Sequence, residues 1–109
     1  MATVTNTPRV FSPFVLGDVR LRNRIVRSGC FEGLSPGGLV TDRLIDHHRE
    51  VAAGGTAMTT LSYCSVSEDG RAFSHELWMR PEALPGLERF TAAIHAERSA
   101  GGLFPVSHE

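Results

Sequence analysis

The chain has 109 residues, of which 41% are hydrophobic and 21% are charged, and its formal net charge is -1. This length allows one ordinary core, and the balanced charge with scattered arginines argues against binding to nucleic acid or to an anionic membrane. No apolar run approaches the roughly 20 residues of a membrane span. The first residues also lack the pattern of a secretory signal. We therefore expect a cytoplasmic protein without nucleic-acid or membrane partners.

The N-terminal part predicts a polar start, a hairpin and a short strand. Residues 1–9 are expected to be flexible. Phe14–Leu16 and Val19–Leu21 are short apolar runs on either side of Gly17-Asp18. Glycine can supply the positive φ that a two-residue hairpin turn requires. The first strand of a sheet is expected at about 24–28.

A loop and then a helix follow. The run Ser35-Pro36-Gly37-Gly38 is typical of a loop. Thr41 can cap a helix, and Asp42 in the first turn suits the positive end of the helix dipole. Gly54-Gly55 indicates where the helix ends. The residues that recur at helical spacing are Leu44, Ile45, His48, Val51 and Ala52.

Beyond this helix the sequence predicts a strand, a second helix and a third strand. The second strand is expected at about 57–65. The second helix is expected from near Leu84 to Arg98, and Pro85 is tolerated in its first turn. Its apolar stripe consists of Leu87, Phe90, Ala93 and Ile94. The third strand is expected to begin within 103–106.

The alternation of strands and helices predicts an α/β fold with a parallel sheet, because parallel neighbours need crossover connections. About three parallel strands and two helices leave one edge of the sheet and one face of the core uncovered. The arrangement is therefore expected to be incomplete.

Several short motifs occur in an order and spacing that indicate one family. They are Phe11-Ser12-Pro13-Phe14, Leu21-Arg22-Asn23-Arg24-Ile25-Val26, Arg27-Ser28-Gly29-Cys30-Phe31-Glu32-Gly33, Gly38-Leu39-Val40-Thr41-Asp42, Ala53-Gly54-Gly55, Val66-Ser67 before Gly70-Arg71, Leu77-Trp78 and Ala92-Ala93-Ile94-His95-Ala96. From about Phe11 to Glu97 the chain resembles the old yellow enzyme family of FMN-dependent NADH:flavin oxidoreductases and ene-reductases. The resemblance implies the N-terminal part of a (β/α)8 TIM barrel, a fold that needs about 250 residues to close.

The resemblance divides the chain into three segments. Residues 1–9 are a flexible N-terminus, 10–97 are the N-terminal segment of an FMN-binding TIM barrel, and 98–109 are a divergent C-terminal tail. The third strand of the family carries a glutamine that hydrogen-bonds the flavin. This tail contains no glutamine and has Pro105 near that position. One hypothesis is that the tail is read out of frame.

The resemblance also implies which residues face the cofactor. Ser28, Gly29 and Cys30, at the end of the first strand, would place small groups and backbone amides beside the FMN ring. Gly29 permits close approach because it has no Cβ; the alternative is that it serves only the strand-to-loop turn. Tyr63, at the end of the second strand, would form the next wall of the pocket, with its ring or with its backbone alone. Phe31 stands where some relatives place a Thr or Cys that hydrogen-bonds the flavin, which a phenyl ring cannot do.

The other reactive residue types have structural interpretations. Cys30 and Cys64 are interpreted as small buried hydrophobes, since a disulfide is not expected without export. His47 and His48 are adjacent on a helix and therefore point in different directions. This favours a solvated His47 beside a half-buried His48 over a chelating pair. No residue is assigned to a metal, and His95 near a helix end is interpreted as structural.

Three functional hypotheses remain open. The first, implied by the resemblance, is an oxidoreductase that transfers hydride from NAD(P)H through FMN to an activated alkene or a similar small-molecule acceptor. Its catalytic residues would come from later strands, so none is assigned. The second is a truncated, non-catalytic fragment, and the third is a part-barrel module that needs a complementing chain or self-association. We expect the isolated chain to be inactive and to bind FMN weakly, because such barrels bind phosphate near their last two strands.

Overall fold

The computed structural model describes residues 8–97 and 106–108. The strands and helices in chain order are β1 (Phe14–Leu16), β2 (Val19–Leu21), β3 (Val26–Arg27), α1 (Asp42–Ala53), β4 (Met58–Leu61), β5 (Cys64–Ser65), β6 (Leu77–Trp78), α2 (Leu84–Ala96) and β7 (Val106–His108). Short 3-10 turns lie at Arg9–Phe11, Pro36–Gly38 and Pro81–Ala83.

The N-terminal hairpin is the one that the sequence predicts. β1 and β2 pair antiparallel with Leu16 opposite Val19, and Gly17 between them has a φ of 59°. Any side chain would be strained at this backbone conformation, which explains why the turn uses glycine. Among the residues of these two strands only Leu21 is buried.

A parallel sheet in the order β3-β4-β7 organises the rest of the fold. β3 lies beside β4 with Arg27 opposite Thr59, and β4 lies beside β7 with Thr59 opposite Val106. The predicted parallel pairing is confirmed, although β3 is shorter than the predicted strand at 24–28. A third parallel strand is present as β7, while 103–105 lie outside the described residues.

The prediction of a continuous second strand at 57–65 is wrong beyond Leu61. β4 ends there, and Cys64–Ser65 forms β5, which pairs in parallel with β6 as a separate two-stranded sheet. Strands β5 and β6 contain two residues each. Such short strands show no alternation of apolar and polar residues, so the sequence pattern cannot separate them from their neighbours.

Both predicted helices are present with bounds close to expectation. α1 begins after Thr41, whose Oγ1 accepts a hydrogen bond from Leu44 N at 3.2 Å and caps the helix. Gly54 follows its last residue, and Pro85 lies in the first turn of α2. α1 packs against both α2 and β4.

One apolar core joins the two helices to the strands. Three residues of the predicted α2 stripe are buried, whereas Ala93 packs at the margin. The core consists of Val40, Leu44, Ile45, Ala52, Leu61, Leu77, Ala83, Leu87, Phe90 and Ile94. This packing fixes β4 against α1 and so fixes the position of the loops that leave the strand ends.

Candidate functional site

The residues predicted to face a cofactor lie at one edge of the parallel sheet. Ser28, Gly29 and Cys30 directly follow β3, and Tyr63 follows β4 after one intervening residue. Since β3 and β4 are parallel neighbours, their carboxyl ends meet at the same edge. Ser28, Cys30 and Tyr63 are exposed there, and Gly29 is partly exposed. These four residues are termed the strand-end surface.

Three aromatic rings extend the strand-end surface. The ring centroids of Phe31 and Tyr63 are 5.4 Å apart, with planes inclined at 34°. Phe73, from the connection between β5 and β6, stacks on Phe31 with a centroid distance of 4.3 Å. All three side chains are exposed. The rings therefore form an accessible apolar surface that joins the loop after β3 to the loop after β4.

Glu32 is the buried centre of a cluster of ionisable side chains beside this surface. Its side chain is 3% exposed, and Oε2 lies 3.1 Å from Arg27 Nη1. The same oxygen lies 3.3 Å from His47 Nε2 and 2.7 Å from His48 Nε2. Among the described residues Glu32 Oε2 makes no hydrogen bond of good direction, and the guanidinium of Arg27 is the permanent positive charge that lies beside it. Arg27, Glu32, His47 and His48 are termed the Glu32 cluster.

His48 connects the Glu32 cluster to β4 and to the core. Its Nδ1 lies 2.7 Å from Thr59 Oγ1, and its ring meets Phe90 edge-on at a centroid distance of 4.9 Å. His48 is fully buried, so the expectation of a half-buried ring is wrong. The expectation that His47 and His48 diverge is also wrong, because both Nε2 atoms reach the Glu32 carboxylate although the ring planes differ by 85°.

The two cysteines are free thiols in different surroundings. Cys30 is exposed, so its interpretation as a buried hydrophobe is wrong, and its Sγ accepts a hydrogen bond from Arg27 Nη2 at 3.1 Å. Cys64 is partly buried. Burial, and to a smaller extent the negative charge of Glu76, raises the pKa of the Cys64 thiol.

An open apolar groove of about 510 Å³ lies between β5 and α2. Its lining consists of Cys64, Val66, Met79, Leu84, Leu87, Glu88 and Thr91. The groove shares no residue with the strand-end surface, so these two surfaces are distinct.

Residues 8–97 contain no group of three or more His, Cys, Asp or Glu side chains placed to hold a metal ion. Nor is either helix in this part of the chain long and apolar enough to cross a membrane.

The sequence profile of the NADH:flavin oxidoreductase / NADH oxidase family matches residues 9–103. The chain belongs to this family. The matched region extends beyond Glu97, and the expected division of the chain at 9/10 and 97/98 stays a prediction.

Characterised relatives within the NADH:flavin oxidoreductase family are longer proteins. The chain is 54% identical over 95 residues to a 4,4'-dithiodibutanoate disulfide reductase of Rhodococcus erythropolis, covering 87% of this chain and 24% of the relative. It is 35% identical over 88 residues to a metal reductase of Desulforamulus reducens, covering 81% of this chain and 13% of that relative. It is 35% identical over 99 residues to an NADPH dehydrogenase of Listeria monocytogenes serotype 4a, covering 87% and 29%. The chain thus spans less than a third of each of these relatives.

Solved structures of old yellow enzyme type share the fold. A 2-naphthoyl-CoA reductase in complex with 2-naphthoyl-CoA superposes with a TM-score of 0.81 at 23% identity, over 92% of this chain and 15% of that chain. The old yellow enzyme homologue of Zymomonas mobilis superposes with a TM-score of 0.76 at 16% identity, over 93% of this chain and 28% of that chain. The predicted fold class, an incomplete N-terminal part of a (β/α)8 TIM barrel, is therefore confirmed, since the described strands do not close a barrel.

The Glu32 cluster is the feature that sequence reasoning missed. The motif patterns treat Arg27 and Glu32 only as parts of a family signature. A signal was present in His48, which occupies an apolar position of α1, because a buried polar side chain needs a partner. Glu32, in the loop that leads to this helix, was an available acid, but no local pattern joins the two positions.

Proposed function

We propose that this chain supplies the N-terminal wall of the FMN site of an oxidoreductase that takes hydride from NAD(P)H. The observation that carries the proposal is the strand-end surface, where residues from two parallel strands meet at one accessible edge. In (β/α)8 barrels the carboxyl ends of the strands hold the active site. Membership of the NADH:flavin oxidoreductase family supports a flavin as the ligand.

The residues present fit one side of a flat ring with polar edges. Ser28, Gly29 and Cys30 lie outside regular secondary structure and carry small side chains, so their backbone can approach a ring closely. Phe31 and Tyr63 provide apolar surface beside them. The FMN phosphate is expected elsewhere, because barrels of this kind bind phosphate near their last strands.

The part of this chain in the reaction is placement. Backbone groups at 28–30 would orient the ring edge, and Phe31 and Tyr63 would exclude water from that side of the pocket. Hydride transfer between NAD(P)H and an acceptor is the chemistry that bound FMN supplies. Ser28, Gly29, Cys30 and Tyr63 are therefore proposed as cofactor contacts and not as acid–base groups.

The proposed acceptor is an activated alkene or a similar small molecule. An organic disulfide is a second candidate, because the 54% identical relative is named as a disulfide reductase. Reduction of a disulfide consumes two electrons and two protons and yields two thiols. Both acceptors can therefore be tested through oxidation of NAD(P)H.

Two alternatives concern how far the 109-residue chain acts by itself. In the first alternative it is a non-catalytic fragment, and in the second it is a part-barrel module that is completed by another chain or by a second copy. The apolar groove and the outer edge of β3, which pairs with no strand in the described residues, are surfaces through which such a complement would attach.

Reconstitution of a barrel from two chains tests the proposal. The chain would be produced alone and together with the portion of the Rhodococcus erythropolis relative that follows its matched 95 residues. We expect the chain alone to leave FMN fluorescence nearly unchanged. The pair should co-purify, quench FMN fluorescence and oxidise NAD(P)H when an alkene or disulfide is added. A stable pair that does not retain FMN would contradict the proposal.

A pair of glycine variants locates the flavin contact. Gly29→Ala places a methyl group on the strand-end surface and should weaken FMN binding by about fivefold, equivalent to roughly 1 kcal/mol. Gly54→Ala is the matched control, because an added Cβ there meets only backbone atoms at ordinary contact distance, 3.4 Å and beyond. Equal FMN affinities of the two reconstituted variants would assign the contact to other residues.

A further inference from the structure

Glu32 contacts the first βαβ unit on three sides. Its Oε2 meets Arg27 at the end of β3 and His47 and His48 of α1. Its Oε1 accepts a hydrogen bond from Ser62 N, directly after β4, at 3.4 Å. One carboxylate group thus joins β3, α1 and β4 at the edge that carries the strand-end surface.

Arg27 connects this carboxylate to the segment proposed to face the flavin. Its Nη1 lies 3.1 Å from Glu32 Oε2, and its Nη2 donates to Cys30 Sγ at 3.1 Å. A guanidinium group is planar, so the direction of one N–H group fixes the direction of the others. The Arg27 side chain keeps 20% of its surface exposed. Water is therefore an available alternative for this guanidinium if the carboxylate is removed.

Glu32 supplies the negative charge that faces Arg27 in this position. Arg27 Nη1 also donates a hydrogen bond to Thr60 O at 3.4 Å, and Nη2 lies 3.3 Å from His47 Nε2. A buried carboxylate is unfavourable unless an opposite charge compensates it, and the guanidinium of Arg27 is the permanent cation in contact with Glu32. Glu32→Gln keeps an oxygen that can accept hydrogen bonds but removes the attraction between opposite charges.

We propose that Glu32 is a positioning residue that holds Arg27 against Cys30 and so fixes the segment 28–30 at the strand-end surface. The inference rests on the proposed function only for what this segment is positioned to bind. The connection from Glu32 through Arg27 to Cys30 is a property of the chain itself and can be measured without flavin.

Alkylation of Cys30 reports where Arg27 lies. Iodoacetate and iodoacetamide react with the same thiol, but only iodoacetate is negatively charged. The rate with iodoacetate divided by the rate with iodoacetamide therefore rises when a cation lies beside the sulfur. If Glu32→Gln releases Arg27 to solvent, this ratio should fall for Cys30 by about threefold. If Arg27 instead stays in place, loss of the nearby negative charge should raise the ratio. A rise or an unchanged ratio therefore overturns the proposal.

Four further variants separate positioning from general disturbance. Arg27→Met should lower the ratio, and adding Glu32→Gln to it should not lower the ratio further. Glu32→Asp keeps the charge but shortens the side chain. It should lower the Cys30 ratio less than Glu32→Gln does. Asp46→Asn removes an exposed carboxylate of α1 as a matched control and should change nothing. A Glu32→Asp ratio at or below that of Glu32→Gln overturns the proposal, as does an additive effect in the double variant.

Cys64 serves as the internal reference for folding. Its alkylation rate should be the same in all variants, since it lies in β5 and not in the Glu32 cluster. If Glu32→Gln raises the Cys64 rate to that of urea-unfolded chain, the variant has unfolded. In that case two other variants test the proposal. Arg27→Met must lower the Cys30 ratio, and Glu32→Asp must leave it close to that of the unsubstituted chain.

FMN titration of the reconstituted pair completes the test. Glu32→Gln should lower the FMN affinity by about fivefold, because the segment 28–30 loses its anchor. Unchanged affinity together with a lowered Cys30 ratio would overturn the positioning role. If the unsubstituted pair binds no FMN, the proposed function fails, and the alkylation ratio still decides the connection from Glu32 to Cys30.

Discussion

Replacing Gly38 by alanine should disrupt the packing between the turn at Pro36–Gly38 and β6. Gly38 is buried and has a φ of 72°, and a Cβ added there would overlap the indole ring of Trp78 and lie 3.0 Å from Arg80 Nη1. Arg80 already stacks on this indole at 4.0 Å and donates hydrogen bonds to the carbonyls of Gly37 and Gly38. Neither neighbour can move away without losing a contact.

Gly37 provides a matched control for the magnitude. It has a φ of 73°, and an added Cβ would find nothing within 4 Å. Gly37→Ala should therefore cost only the strain of a left-handed backbone, about 1–2 kcal/mol. Gly38→Ala carries the same strain and adds an overpacking term of about 1–3 kcal/mol. We expect the free energies of unfolding of the two variants to differ by about 2 kcal/mol.

Urea unfolding measures this difference. The chain contains one tryptophan, so its fluorescence reports directly on the packing around Trp78. The comparison uses variants with equal dependence of stability on urea concentration, since only then does the midpoint follow the free energy of unfolding. Losses of stability that agree within about 0.5 kcal/mol would refute the close packing of Gly38 on Trp78.

Three further predictions concern the thiols, His48 and the cap of α1. At pH 8 iodoacetamide should label Cys30 before Cys64, as checked by peptide mass mapping, because Cys64 is partly buried and its pKa is raised. The same raised pKa means that the Cys64 thiol stabilises the fold below the pKa of an unfolded thiol, about 8.5, and loses this contribution above it. Thr59→Val should cost about 1–3 kcal/mol in urea unfolding, because His48 Nδ1 loses its buried partner; a neutral result would contradict that contact. Thr41→Ala should cost about 1 kcal/mol in the same assay, and no loss would show that the cap contributes nothing.

Elements with local signals were predictable from the sequence. The cap of α1 depends on Thr41, its end is marked by Gly54-Gly55, and the hairpin turn depends on Gly17, so each signal lies within or directly beside the element that it defines. β5 and β6 are different, because they form only when Cys64–Ser65 meets Leu77–Trp78 from the far side of a loop. No local pattern of residues predicts that pairing.

In the candidate site, too, some features could be predicted from the sequence, whereas others depend on contacts between distant parts of the chain. Ser28, Gly29, Cys30 and Tyr63 could be placed near strand ends from the family resemblance, although the strand pattern extends the second strand to residue 65 and β4 ends at Leu61. The contact of Glu32 with His48 could not be predicted, since it depends on how α1 packs on β4. Helical periodicity predicts that His48 faces the core, but it does not say which acid will meet it there.

Because Glu32 holds β3, α1 and β4 through one carboxylate, these elements should open as one cooperative unit in native-state hydrogen exchange. Backbone amides of α1 and β4 are then expected to share one free energy of opening, whereas the β1–β2 hairpin, with its mostly exposed side chains, should exchange at lower energy. A substitution that weakens the packing of any one of the three elements should therefore also lower the free energy of opening of the other two.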